Sequence, residues 1–281
     1  MKYTELKNYL IAVDLDGTII DNGTIIDEES FAVLQQLSIN NYVVIATGRP
    51  FRSSVKYYNL LSLNTPIINY NGAYIHHPND NTYPETMITI PRNELIKLLE
   101  DNKDLILNAF CEIRDEIFLL KLDDLVKPFL DLEGGNLHIG DFNNILVSNS
   151  NGAIIFSKQE HFSKIKEYVN NNFKDLLIRP WDFNGVFVIE VYNKHISKAK
   201  AVKDIMSYYH IDDNKSIAFG DGANDLEMLL EVKYGVAMQN SSKLLLDNAK
   251  YKTSSIKEHG VKTFFECFDF PENWHMSNYM I

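Results

Sequence analysis

Five apolar residues in a row, Tyr9-Leu10-Ile11-Ala12-Val13, end on Asp14-Leu15-Asp16-Gly17-Thr18. That junction limits the fold more than any other stretch of the chain. An unbroken apolar run of strand length suits a strand covered on both faces, the usual setting of a parallel sheet. Comparable runs recur at Tyr42-Val43-Val44-Ile45-Ala46, Pro66-Ile67-Ile68, Ser216-Ile217-Ala218-Phe219 and Tyr234-Gly235-Val236-Ala237-Met238. Helical patterns separate them. Asp27-Glu28-Glu29-Ser30 reads as an acidic helix start ahead of Phe31, Leu34 and Leu37, and Pro50 opens a helix carrying Val55, Tyr58 and Leu61. Further helices are expected over 197–209, 224–231 and 242–249. The first three strands and two helices alternate, which predicts parallel pairing with right-handed crossovers. The fold class that follows is α/β, a doubly wound, Rossmann-like parallel sheet.

The pattern changes after Asn71-Gly72. Ala73-Tyr74-Ile75 and Met87-Ile88-Thr89-Ile90 flank the turn-rich His77-Pro78-Asn79-Asp80-Asn81 and read as a hairpin. Pro91 starts a helix through Leu95, Leu98 and Leu99. Strands are expected at 105–110, 117–120, 153–156 and 185–191, with helices at 124–132 and 161–172. This is α+β rather than α/β. The simplest division is a catalytic core of residues 1–79 and 192–281, interrupted by an inserted α+β cap domain at 80–191.

Composition narrows the function classes. The chain has 281 residues, 45% of them hydrophobic and 23% charged, with a formal net charge of -11. A large core is attainable. The acidic balance argues against a protein that coats nucleic acid or an anionic membrane. It leaves open a small anionic substrate, because a metal, a lysine or a helix N-terminus can make one site locally positive. Cys111 and Cys267 stand far apart and suit reduced thiols rather than a disulfide framework. No apolar stretch has the length of a signal peptide core or a membrane span, so a cytoplasmic location is expected.

The polar residues at the strand ends carry the chemistry. In an open α/β sheet, ligands bind beyond the C-terminal ends of the strands. Asp14 and Asp16 stand there, two residues apart, with Gly17 allowing a sharp turn. Paired carboxylates at such an edge suit a hard cation such as magnesium. Gly220-Asp221-Gly222-Ala223-Asn224-Asp225 repeats the logic after a later strand, offering Asp221 and Asp225 as further metal oxygens. Thr47 and Gly48 follow the second strand and offer a hydroxyl and a backbone turn to a phosphate. Lys198 opens a helix, a place where a lysine does not serve the helix dipole; taken alone, it would be a solvated surface group.

This order of motifs resembles the haloacid dehalogenase superfamily of aspartate-nucleophile phosphatases. The matching residues are Asp14-x-Asp16-Gly17-Thr18, Thr47-Gly48-Arg49, Lys198 and Gly220-Asp221-Gly222-x-Asn224-Asp225. Asn71-Gly72-Ala73 and the run from Gly235 to Asn240 look like its Cof-type branch, whose members carry a large α/β cap. Ala199 and Gln239 stand where relatives often have glycine. The resemblance implies that Asp14 is the nucleophile and Asp16 the general acid and base. It implies magnesium held by Asp14, Asp16 through its carbonyl, Asp221 and Asp225, and phosphoryl oxygens held by Thr47, Lys198 and Asn224. The inserted domain would close over the site and contact the leaving group. Arg49 and Asn71 are candidate substrate contacts. Arg179, Trp181, Asp182, His138 and His195 are polar or aromatic residues more in keeping with packing or surface roles.

The expected activity is hydrolysis of small phosphorylated metabolites such as sugar phosphates, nucleotides or cofactor phosphates. A phosphomutase or phosphotransferase would use the same aspartyl-phosphate. A phospho-accepting signalling module would need neither the insertion nor Asp16. A dinucleotide-binding oxidoreductase would need a Gly-x-Gly-x-x-Gly after the first strand, which is absent.

Overall fold

The computed structural model describes residues 2–271. The chain divides into two compact units: one comprises the chain up to Ala46, Asn59–Thr65 and the chain from Val202 onward; the other comprises Thr47–Tyr58 and Pro66–Ala201.

The first unit is built on a five-stranded parallel sheet. Its strands run in the order Tyr251–Lys252, Tyr234–Ala237, Ser216–Gly220, Leu10–Val13, Tyr42–Ile45. Every residue of the Leu10–Val13 strand is buried, as the apolar run requires of a central strand. Val13 lies opposite Ile45 on one side and Phe219 on the other, and Gly220 lies opposite Ala237. Four strands therefore end at one edge, and the residues just beyond them share it. Helix Glu28–Ser38 buries Phe31, Val33, Leu34 and Leu37, and its N-cap Asp27 accepts a hydrogen bond from the Ser30 N–H. Helix Gly260–Cys267 sets Phe264 and Phe265 with ring centroids 5.3 and 5.4 Å from that of Phe219, covering the sheet.

The strand Ile67–Asn69 departs from the expectation of parallel pairing. It pairs antiparallel with Tyr74–His76, in a three-stranded sheet completed by Thr86–Met87. The cause is local: Tyr70, Asn71 and Gly72 all have positive φ, at 48°, 56° and 103°, and turn the chain back on itself.

The second unit also holds a six-stranded sheet, in the order Asn136–Ile139, Glu116–Leu119, Ile106–Ile113, Gly152–Lys158, Val186–Asn193, Leu176–Phe183. Its pairs are antiparallel except that of Asn136–Ile139 with Glu116–Leu119. Leu95 and Leu98 of helix Arg92–Asp101, and Ile165 and Val169 of helix Phe162–Asn172, join Ile155, Ile189 and Val191 in one core. A smaller cluster gathers Phe110, Leu119, Val126, Phe156 and Val188. Where a helix was expected over 124–132, only the short 3-10 turn Lys127–Phe129 forms. Pro128 supplies no amide donor there, and the chain leaves extended at Leu130.

Candidate active site

Asp14 is the first residue past its strand. Its N–H donates to the Phe219 carbonyl at 3.1 Å, which fixes it beside the strand leading to Asp221. The turn after it is tight. The Leu15 carbonyl accepts from the N–H groups of Thr18, Ile19 and Ile20 at 3.2, 3.0 and 2.9 Å. Gly17 has φ 78°, and a Cβ there would stand 2.1 Å from Asp221 Oδ2. The glycine is required twice over, by its left-handed backbone and by the carboxylate beside it. The Asn240 side chain donates to the Gly17 carbonyl at 2.8 Å and reaches Asp221 Oδ2 at 3.4 Å.

Asp225 organises the second motif. Its Oδ2 accepts from the N–H groups of Asp221 at 3.0 Å and Gly222 at 2.9 Å. A Cβ on Gly220 would lie 2.4 Å from Asp225 Cγ, so that glycine lets the buried carboxylate sit under the turn. The α-helix expected from Asn224 begins instead at Leu226, because Ala223–Asp225 forms a 3-10 turn closed by these bonds.

Asp14, Asp221 and Asp225 each offer one carboxylate oxygen, and the three atoms lie within 4.8 Å of one another. Asp14 is 5% exposed and Asp225 0% exposed. Carboxylates gathered this closely, two of the three buried, repel one another unless a cation or proton lies among them. Oxygen-only donors suit a hard divalent ion of the magnesium kind. The residues therefore fit the metal that the motifs imply. The exposed Asp16 carboxylate is not one of the three.

Thr47, Gly48, Arg49, Asn71 and Lys198 belong to the second unit. Thr47 is buried; its N–H donates to the Ile68 carbonyl at 2.9 Å and its Oγ1 accepts from the Arg49 N–H at 3.1 Å. The Arg49 guanidinium lies 5.5 Å from the Tyr57 ring centroid. Lys198 is the first residue of helix Lys198–Tyr208 and is 1% exposed, so the solvated-lysine reading fails. A lysine buried to that degree needs a charged or polar task. Of the remaining candidates, His138 meets Glu116 at 2.5 Å and stacks on Phe118, and His195 lies 3.4 Å from Asp175. Asp182 accepts from Gln159, and Trp181 is exposed. Arg179 pairs with Glu190.

Two residues of consequence had no role assigned from sequence. Asn240 follows a strand end in the first sheet, and the strand-end rule that found Asp14 would have found it. Glu190 has no local signal, since its partners emerge only from strand register and loop placement.

The haloacid dehalogenase-like hydrolase family model matches residues 11–265. The chain belongs to that family. Within it the chain is of the Cof type and is a phosphoric monoester hydrolase. It is 32% identical over 269 residues to the 5-amino-6-(5-phospho-D-ribitylamino)uracil phosphatase YitU of Bacillus subtilis, covering 93% of this chain and 98% of that protein. It is 23% identical to a phosphatase of the same description, YbjI of Escherichia coli, over 90% of this chain and 93% of that one. A haloacid dehalogenase-like hydrolase from Bacteroides thetaiotaomicron shares the fold, with TM-score 0.75 and 23% identity over 92% of this chain and 99% of that chain. Among the described residues, no helix of this hydrolase is long and apolar enough to cross a membrane.

Proposed function

We propose that this hydrolase is a magnesium-dependent phosphatase of small phosphorylated metabolites, working through an aspartyl-phosphate on Asp14. The observation that carries the reading is the meeting of Asp14, Asp221 and Asp225 oxygens within 4.8 Å. An Asp14 carboxylate oxygen attacks phosphorus, and the bond from phosphorus to the leaving oxygen breaks. Asp16 gives that oxygen its proton, then takes one from the water that attacks the aspartyl-phosphate, releasing phosphate and restoring Asp14. Thr47, Gly48, Lys198 and Asn224 hold phosphoryl oxygens, with Lys198 offsetting charge that builds in the transition state. Asp14, Asp221 and the Asp16 carbonyl would hold the metal, while Asp225 orients the Asp221 turn. When bound, magnesium neutralises phosphoryl charge and draws the phosphate toward the nucleophile.

The descriptions of the two relatives support a leaving group of the ribitylaminouracil kind, with sugar, nucleotide and cofactor phosphates as the wider class. The test is phosphate release from that panel with magnesium and no added acceptor. Release that stops on chelation and returns with magnesium is expected. Activity that survives chelation would remove the metal from the account, and turnover only with an added hydroxyl acceptor would make the protein a phosphotransferase.

A further inference from the structure

The Tyr70-Asn71-Gly72 loop connects several parts of the second unit. The Asn71 N–H donates to the Thr47 carbonyl at 3.0 Å, and the Asn71 side chain lies against Gly48, where a Cβ would stand 3.3 Å from Asn71 Oδ1. Gly72 approaches Ser197 so closely that a Cβ would lie 2.6 Å from its carbonyl oxygen, and Lys198 is the next residue. The Asn71 side-chain amide donates to Glu190 Oε1 at 2.8 Å. Arg179, opposite Glu190 in strand register, donates to Glu190 Oε2 from Nε at 3.1 Å and also from Nη2. The Arg179 guanidinium in turn lies 5.2 Å from the Tyr192 ring centroid.

We propose that Glu190, held by Asn71 and Arg179, is a specificity-determining residue that accepts hydrogen bonds from hydroxyl or N–H groups on the leaving group. This rests on the reading that Thr47 and Lys198 bind the phosphoryl group, because the same loop touches Thr47, the residue before Lys198, and Glu190. A carboxylate has about four acceptor positions. Asn71 occupies one on Oε1 and Arg179 two on Oε2, so Oε1 keeps an acceptor position. The Glu190 side chain is 16% exposed, enough for a ligand to reach it. A leaving group rich in donors, such as a polyol, a sugar or an amino-substituted ring, completes it. An aryl leaving group without donors does not.

The experiment compares kcat/KM for a polyol or sugar phosphate with that for 4-nitrophenyl phosphate, in the wild type and in Glu190→Gln. The ratio of the two is expected to fall about tenfold or more in the variant, mainly through KM for the hydroxylated substrate. A ratio unchanged within about twofold would overturn the assignment. Glu190→Asp keeps the charge and withdraws it by one methylene. It is expected to lower the ratio as well, and serves if Glu190→Gln does not fold. Lys198→Ala separates the two readings: full activity there on both substrates would count against the phosphate-binding roles, whatever Glu190→Gln does to the ratio.

Discussion

Lys198 illustrates how a single side chain is committed by burial. A lysine at a helix start gains nothing from the helix dipole, and at 1% exposure it has almost no water to solvate its charge. In the proposed function its charge meets an anionic phosphoryl group. Lys198→Ala is therefore expected to lower kcat/KM by about 10²–10³, the usual effect of removing one preorganised donor to a transition state. Steady-state kinetics on any accepted phosphate ester measure it, and a loss under about threefold would deny the role. Gly17 and Gly220 are committed in the opposite sense, by carboxylates that occupy the space a side chain would need. The aspartates and glycines of both motifs thus form one steric arrangement as well as one charged one.

At the scale of elements, helix Phe51–Leu60 is fastened to strand Ile106–Ile113 by Arg52. Its guanidinium pairs with Glu112 and donates to the carbonyls of Arg114, at 2.8 Å, and Asp131. Both residues are partly buried; burial pushes the Glu112 carboxyl up from its ordinary value, with Arg52 opposing the rise. Arg52→Ala would take the cationic partner from that carboxylate, and is expected to cost about 3 kcal/mol of stability. Denaturant unfolding checks it; a loss under about 1 kcal/mol would mean that the pair is not holding the helix. This helix also marks a limit of sequence reading. Of the apolar positions Val55, Tyr58 and Leu61 read from sequence, Tyr58 and Leu61 are buried, but so are Ser53, Ser54 and Tyr57, which the apolar spacing did not mark. Ser54 is accommodated because its Oγ donates to the Pro50 carbonyl and accepts from Asn69. Unbroken runs such as Leu10–Val13 were legible because burial on both faces leaves the sequence no alternative. The antiparallel turn at Ile67–Asn69 was not, since three successive positive φ angles leave only Gly72 as a visible sign. Asp14 and Asp221 could be read from strand ends. Glu190 could not, because a register partner and a loop contact are set by tertiary pairing.

The whole molecule should carry an acid limit set partly by His76. Its ring stacks on Tyr74 at 4.3 Å and meets Phe51 edge-on at 4.6 Å, and burial lowers its pKa to about 4 from the ordinary 6.5. Between those values the unfolded chain binds a proton that the folded chain refuses. Its contribution to stability is complete above about pH 6.5 and declines as pH falls toward 4. His76→Phe, which keeps a stacking ring, should lose less Tm than the wild type between pH 7 and pH 5, and equal losses would remove His76 as a cause. The other claim at this scale is the proposed one, that the hydrolase performs one reaction in two displacements. Its most direct measurement is acid-quenched single turnover with a good substrate and magnesium, followed by peptide mapping by mass spectrometry. Phosphate should appear on the peptide that carries Asp14, and Asp14→Asn should abolish both that species and turnover, lowering kcat by at least about 10³-fold. Phosphate on a different residue, or an Asp14→Asn enzyme that still turns over at the wild-type rate, would contradict the account.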